Sequence, residues 1–87
     1  MAMTTEEILS GLAETIEEFV GVPASAVTLQ ADLVDDLGVD SLSMVEIVTV
    51  AQDKFSVEIP DEELRKLKTV GNVVDCVQRA QRSGVSA

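Results

Sequence analysis

The main candidate for chemistry in this sequence is Ser41, which follows Asp40 at the start of a predicted helix. At that position a hydroxyl lies beside free backbone N–H groups and the positive end of the helix dipole, so a phosphate ester on it would be stabilised. Simple capping of the helix by Asp40 or Ser41 explains the same residue types. The spacing therefore leaves two interpretations open, a phosphate-bearing serine and a structural cap.

A hydrolase is a poor interpretation of this serine. A nucleophilic Ser41 would need a general base, and the 87 residues include no His. A chain of this size also leaves little room for a catalytic triad and a walled substrate pocket. The sequence therefore predicts a protein that is not itself an enzyme.

Clustered aspartates before the helix raise the question of a metal site. An EF-hand loop is excluded, because Gly38 at loop position six would place Leu33 at position one, where an Asp is needed. We expect no dedicated metal site and at most weak binding of divalent cations by Asp35, Asp36 and Asp40. A solvated acidic loop explains the same residues.

Charge is concentrated in the middle third of the chain. Residues 32–63 carry ten acidic residues and one basic residue, and the net charge of the whole chain is −10. Such a chain is unsuited to binding nucleic acid or an anionic membrane, and its expected partners are basic protein surfaces. The lone Cys76 is expected to be a small, partly buried apolar residue. It fits a reducing compartment, and with no evident signal or membrane segment we expect a cytoplasmic protein.

The first element that must support this site is a helix beginning after Thr4. Thr4 and Glu7 have the spacing of a capping box, and Gly21 with Pro23 predicts the end of the helix. Apolar residues then recur at three- and four-residue steps, which predicts one core-facing side. These residues are Ile8, Leu9, Leu12, Ala13, Ile16, Phe19 and Val20.

A long loop over residues 21–40 and a second helix over residues 41–55 follow. Leu29, Leu33 and Leu37 are expected to fix the loop to the core. One arc of the second helix should face the core, with Met44, Ile47, Val48, Ala51 and Phe55. The opposite arc should face solvent, with Leu42, Val45, Glu46, Thr49 and Asp53. Its mixture of apolar and acidic residues fits a docking surface, but also ordinary scatter of surface aliphatics.

Two further helices complete the prediction. A short one begins at Asp61 and ends near Leu67, and the last is capped by Thr69. Its core stripe consists of Val70, Val73, Val74 and Val77. The predicted class is all-α, a four-helix bundle with three main helices, one short helix and a long loop before the second helix. We expect one domain over residues 1–87, with about 1–3 and 83–87 frayed.

Three segments resemble acyl carrier proteins in order and spacing. The first is Asp35-Asp36-Leu37-Gly38-Val39-Asp40-Ser41-Leu42-Ser43-Met44-Val45-Glu46, which is similar to the phosphopantetheine attachment region of that family. The others are Phe55-x-Val57-x-Ile59-Pro60-Asp61-Glu62-Glu63 and Leu67-Lys68-Thr69-Val70-Gly71. The resemblance extends from about Thr5 to about Gln81. The residues Asp40-Ser41-Leu42-Ser43-Met44-Val45-Glu46 are most similar to those of discrete (type II) actinobacterial carriers of fatty-acid synthesis.

This resemblance implies that 4′-phosphopantetheine from coenzyme A is attached to Ser41 by a separate phosphopantetheinyl transferase. Asp40 would support transferase recognition or its magnesium. The arm would hold acyl groups as thioesters, and the acyl chain would enter the helical core. A stand-alone polyketide carrier remains the near alternative, and a non-catalytic acidic helical interaction module the more distant one.

The resemblance also implies which surfaces meet partners. Leu42, Val45, Glu46 and Asp53 would dock basic patches on the transferase and on ketosynthase, reductase, dehydratase and acyltransferase enzymes. The carrier itself is expected to be a monomer. The segment Gln52-Asp53-Lys54 is less acidic than in many members, so affinity for partners there is expected to be reduced or retuned.

Overall fold

The computed structural model describes residues 4–82. Its helices are α1 (Thr5–Val20), α2 (Ser41–Phe55), α3 (Asp61–Leu64) and α4 (Val70–Arg82), with a 3₁₀ turn at Ala24–Ala26. The predicted all-α class, with three main helices, one short helix and a long loop before the second, is confirmed. The ends expected to fray, 1–3 and 83–87, lie outside the described residues. Within residues 4–82, no helix is long and apolar enough to cross a membrane.

Helix α1 begins and ends where its capping residues predict. The Thr4 hydroxyl accepts the Glu7 N–H at 3.2 Å, and the Glu7 carboxylate accepts the Thr4 N–H at 2.8 Å. At the other end Gly21 has a φ of 80°, a left-handed conformation that glycine adopts without steric cost, and its N–H bonds the Glu17 carbonyl. These two caps define the helix at both ends.

The prediction that Phe19 lies in the core is wrong. Ile8, Leu12 and Ile16 are buried as expected, but Phe19 is 41% exposed. Its angular position is still within the buried arc of α1, which also includes the unpredicted Thr15. The exposure therefore comes from its place in the last turn, at the end of the helix.

The core is aliphatic and is built mainly from α1, α2 and α4. The predicted arc of α2 is buried except for the half-buried Met44, and the whole valine stripe of α4 is buried. Thr69 caps α4 by accepting the Asn72 N–H at 3.2 Å. The largest fully buried side chains are Ile8, Leu12, Ile16, Leu33, Val39, Ile47, Val48, Val70, Val73 and Val77.

Helix α3 is shorter than predicted, ending at Leu64 instead of near Leu67. After Leu64 the backbone bonds tighten to three-residue spacing, from the Lys66 N–H to the Glu63 carbonyl and from the Leu67 N–H to the Leu64 carbonyl. Glu63 then connects α3 to α4, because its carboxylate lies 3.3 Å from the Arg79 guanidinium. The short helix is thus held by a neighbour as well as by its own bonds.

Backbone hydrogen bonds and two of the three predicted leucines hold the long loop in place. Leu33 and Leu37 are buried as predicted, but the same prediction for Leu29 is wrong, since it is 36% exposed. At that point the Leu29 carbonyl accepts the Gly71 N–H at 2.9 Å. An isolated antiparallel bridge joins Asp32 to Thr69 nearby. The loop is therefore bonded to the start of α4, and the Leu29 side chain need not be buried to anchor it.

Candidate functional site at the start of helix α2

A self-contained turn brings the chain to the start of α2. The Asp32 carboxylate accepts the N–H groups of Val34 and Asp35, at 3.0 and 2.8 Å, and the Asp36 carboxylate accepts the Asp32 N–H at 2.7 Å. Gly38 then takes a φ of 71°, in the left-handed region that a residue with a Cβ enters only with strain. These local hydrogen bonds and the conformation of Gly38 set the direction in which the chain enters α2.

Asp40 is the N-cap of α2, and Ser41 is its first residue. The Asp40 carboxylate accepts the Ser43 N–H at 2.7 Å. That bond, followed in importance by one to the Ser43 hydroxyl, lowers the pKa of Asp40 below 3.8. The Ser41 side chain is exposed, and its hydroxyl has no hydrogen-bond partner within residues 4–82. Asp40 therefore caps the helix, and the Ser41 hydroxyl is left available for covalent modification.

The lowered pKa of Asp40 predicts an acid-sensitive cap. A carboxyl whose pKa is lower in the folded state stabilises the fold fully above its unfolded value of 3.8, and the contribution disappears as the pH falls through the folded value. Asp40→Asn keeps a hydrogen-bond acceptor but removes the charge. We expect wild type to melt at a higher temperature than Asp40→Asn at neutral pH, and the difference to close in acid. A difference in melting temperature that is constant across this pH range would contradict the assignment.

The acidic loop does not assemble a metal site. The carboxylates of Asp32, Asp36 and Asp40 are engaged with backbone N–H groups of the loop and of α2. In the part of the chain that the structure describes, no three His, Cys, Asp or Glu side chains are grouped to hold a metal ion. Weak binding of divalent cations by Asp35, Asp36 and Asp40 stays a prediction.

A groove of about 620 Å³ opens beside Ser41. Helix α2 and the preceding loop form one wall, and α3 forms the other. The lining is mainly apolar, with a few polar groups close to Ser41. It consists of Val34, Val39, Asp40, Ser41, Met44, Val45, Asp61, Leu64 and Arg65. A long flexible group attached to the Ser41 oxygen would start at this groove and have an apolar surface beside it.

The residues predicted to dock partners lie on the exposed side of α2. Leu42 is 71% exposed, Val45 is half exposed, and Glu46 and Asp53 are exposed as well. The predicted orientation of this arc is confirmed. Apolar and acidic groups therefore share the surface next to the Ser41 hydroxyl.

The sequence analysis missed two residues at this site. Val34 is 60% exposed and lines the groove. The signal for it was an apolar residue outside the four-residue spacing of Leu29, Leu33 and Leu37. Arg65, which directly follows α3, also lines the groove, and its signal was its place as the first basic residue after the acidic middle third.

Cys76 takes no part in this site. It is buried in α4, as expected, and its Sγ lies 3.8 Å from the Glu63 carboxylate. Burial, followed by the negative charge of Glu63, raises the pKa of the thiol above 9.0. The thiolate is therefore disfavoured at neutral pH, which argues against a nucleophilic role.

Comparison with known proteins identifies the family. The family model for a phosphopantetheine attachment site matches residues 10–77. An acyl carrier protein of Thermobifida fusca is 58% identical over 79 residues, which cover 91% of this chain and all of that protein. A meromycolate extension acyl carrier protein of Mycolicibacterium smegmatis is 52% identical over 87 residues, covering all of this chain and 88% of the other.

Solved structures agree in fold. An acyl carrier protein from Enterococcus faecalis superposes with a TM-score of 0.75 at 40% identity, over 90% of this chain and 99% of that one. One from Thermotoga maritima gives a TM-score of 0.81 over 91% of this chain and 92% of the other, at 24% identity, and so shows the fold alone. The family model and the curated relatives decide against a hydrolase and against a helical module without a cofactor. The chain belongs to the acyl carrier protein family, whose members are non-catalytic carriers with a phosphopantetheine attachment site.

Proposed function

We propose that this protein carries growing acyl chains in fatty acid biosynthesis, as thioesters on a 4′-phosphopantetheine arm attached to Ser41. The observation that carries the proposal is the exposed Ser41 hydroxyl, which has no partner within residues 4–82 and lies at the mouth of a groove. A transferase would bond the Ser41 oxygen to the phosphorus of coenzyme A that carries the pantetheine. The pyrophosphate bond would break, and the nucleotide part and the hydroxyl proton would leave. The thiol of the arm supplies the thioester chemistry.

The residues around Ser41 fit such an arm. Asp40 already caps the first turn of α2, so the Ser41 oxygen can be esterified without loss of a capping bond. The backbone N–H groups at the start of α2 favour a phosphate there. We further propose that Asp40, whose carboxylate is charged at neutral pH, supports recognition by the transferase or binding of the transferase's magnesium.

The groove supports a place for the acyl chain. Its apolar lining includes Val39 and Leu64, and Met44 lies half-buried between the groove and the core. Burying an acyl chain there would gain about 0.8 kcal/mol for each methylene removed from water. We therefore propose that the chain enters the helical core between α2 and α3.

Fatty acid synthesis is favoured over polyketide synthesis by the relatives. The M. smegmatis relative is named for meromycolate extension, which is chain elongation. The holo protein loaded with an acyl group is expected to be a substrate for a purified ketosynthase of fatty acid synthesis and a poor one for a type II polyketide ketosynthase. The opposite preference would assign the chain to polyketide synthesis.

Partners are expected to approach the exposed arc of α2. Family membership implies contact with a phosphopantetheinyl transferase and with acyl-processing enzymes, and we propose that Leu42, Val45, Glu46 and Asp53 form the contact. All four are exposed on the helix that begins at Ser41. A protein that receives the arm must come close to this end of the helix. We also propose that the carrier acts as a monomer in the cytoplasm, which suits its lone, buried Cys76.

Two substitutions separate the charged and apolar parts of this surface. Rim charges mainly set association rate and buried apolar anchors mainly set dissociation rate. Glu46→Lys is expected to slow association with the transferase by about tenfold at low salt. Val45→Ala is expected to speed dissociation by roughly fivefold with little salt dependence.

A matched control is Glu18→Lys, the same charge change at an exposed position on α1. Rates measured by surface plasmon resonance across a salt series would compare the three variants. Equal association rates for Glu46→Lys and Glu18→Lys at low salt would show that this arc of α2 is not the docking surface.

A further inference from the structure

Arg65 is placed to interact with whatever is attached to Ser41. It follows α3 and lines the same groove as Ser41, which lies across from it on α2. It is the basic residue among those that line the groove, and the acidic ones are Asp40 and Asp61. One positive charge thus lines the groove that the Ser41 hydroxyl also lines, and that hydroxyl is the one proposed to be esterified as a phosphodiester.

The guanidinium of Arg65 is not engaged elsewhere within residues 4–82. Asp61 is four residues earlier, yet the two side chains form no ion pair. Glu63, the neighbouring carboxylate, is already shared by Lys66 at 3.9 Å and Arg79 at 3.3 Å. Arg65 is exposed and lines the groove, so its guanidinium is accessible to a group attached at Ser41.

A phosphodiester on Ser41 creates a need for such a cation. It would add a negative charge to a groove that already contains the carboxylates of Asp40 and Asp61. Asp40 is ionised at neutral pH, since the cap holds the pKa of its carboxyl below the ordinary value of 3.8. Repulsion from these groups would push the phosphate away from the groove unless a cation offsets it. A guanidinium suits this role because its planar fork donates two parallel hydrogen bonds to phosphate oxygens.

We propose that Arg65 is a positioning residue that binds the phosphodiester of the arm on Ser41 and holds the arm along the groove between α2 and α3. This inference rests on the proposed function, since it requires the arm on Ser41. Arg65 takes no part in acyl chemistry. It sets the direction in which the arm leaves the protein, and therefore how often the thioester lies beside the groove.

The experiment compares holo forms of wild type, Arg65→Ala and Lys68→Ala, each loaded with an isotope-labelled arm. Lys68 is also exposed and forms no ion pair within residues 4–82, and it does not line the groove, so its variant matches the charge change. Phosphorus NMR reports on the phosphodiester, and nitrogen relaxation reports on the amides of the arm. Circular dichroism and melting curves check that each variant is folded.

Arg65→Ala is expected to shift the phosphorus resonance and to lower the fraction of time the phosphate spends at the groove by roughly two- to fivefold, as for an exposed ion pair. The arm amides should become correspondingly more mobile. Lys68→Ala should match wild type. High salt should bring wild type close to Arg65→Ala, because exposed charges are screened.

Identical phosphorus shifts and arm relaxation in Arg65→Ala and Lys68→Ala would overturn the inference and point to a contact between Arg65 and a partner protein instead. In that case the mass of the holo protein would still show the arm on Ser41, and the proposed function would stand. A wild-type protein that gains no arm on Ser41 would overturn both.

Discussion

Replacing Leu33 with Ala is expected to remove about 2–5 kcal/mol from the free energy of unfolding, the usual cost of a buried leucine. Leu33 is 1% exposed, and its side chain is one of those with which the long loop fills the core. In a domain with about 5–15 kcal/mol of total stability, this is a large fraction. The melting temperature should fall by about 10 °C or more.

The loss of stability comes from the Leu33 side chain, because the backbone hydrogen bonds of this residue do not depend on it. The Leu33 N–H bonds the Lys68 carbonyl at 2.9 Å, and the Leu33 carbonyl accepts the Val39 N–H at 2.8 Å. Both bonds are made by the backbone and survive the substitution. What is lost is apolar burial, together with the cost of the cavity that remains.

Leu42→Ala is the matched control, since it is the same change at a leucine that is 71% exposed. Its stability should stay within about 0.5 kcal/mol of wild type. Chemical denaturation of both variants measures the two values. Similar losses at the two positions would show that Leu33 does not anchor the loop.

Helix boundaries were predictable where side chains define them. Thr4 with Glu7, Asp40, and Thr69 are capping residues whose chemistry is visible in the sequence, and all three cap the helices they were assigned to. Gly21 likewise ends α1 in the left-handed conformation. Local chemistry of this kind needs no knowledge of tertiary structure.

The path of the long loop was less predictable, because it is fixed by backbone hydrogen bonds between residues that are far apart in the sequence. The bridge between Asp32 and Thr69 and the bond from the Gly71 N–H to the Leu29 carbonyl have no side-chain signature. A Cβ at residue 71 would lie 3.0 Å from the Leu29 carbonyl oxygen, so the close approach also depends on a glycine. Leucine spacing alone therefore misplaced Leu29.

The site was predictable in its centre and not at its edges. The place of Ser41 at a helix start left a phosphate-bearing serine and a structural cap both open, and the resemblance of the surrounding segment to acyl carrier proteins favoured the first. Asp40 was identified by its capping residue type. Arg65 and Val34 join the site only through the packing of α3 and the loop against α2, and the periodicity of a single helix contains no such information. The structure adds the groove and the basic residue in it.

Replacing Ser41 with Ala is expected to abolish attachment of phosphopantetheine while leaving the fold intact. The hydroxyl is the atom that would form the ester, and Ala has none. The side chain is exposed, and Asp40 supplies the cap through the Ser43 N–H, so the stability should change by no more than about 0.5 kcal/mol. A large fall in melting temperature would instead assign Ser41 a structural role.

Ser43→Ala provides the control, because it is the same substitution two residues further along α2. The main bond of Ser43 to the cap is made by its backbone N–H, which the variant retains, and only the lesser bond from its hydroxyl to Asp40 is lost. This protein should therefore still accept the arm. Loss of attachment in both variants would indicate a general disturbance of the helix start.

The most direct test of the account is the intact mass of wild type, Ser41→Ala and Ser43→Ala after incubation with coenzyme A and a phosphopantetheinyl transferase, followed by peptide mapping. The account predicts that wild type and Ser43→Ala each gain the mass of one phosphopantetheine group, located on Ser41, and that Ser41→Ala gains none. An unchanged wild-type mass, or a gain of that mass by Ser41→Ala, would contradict it.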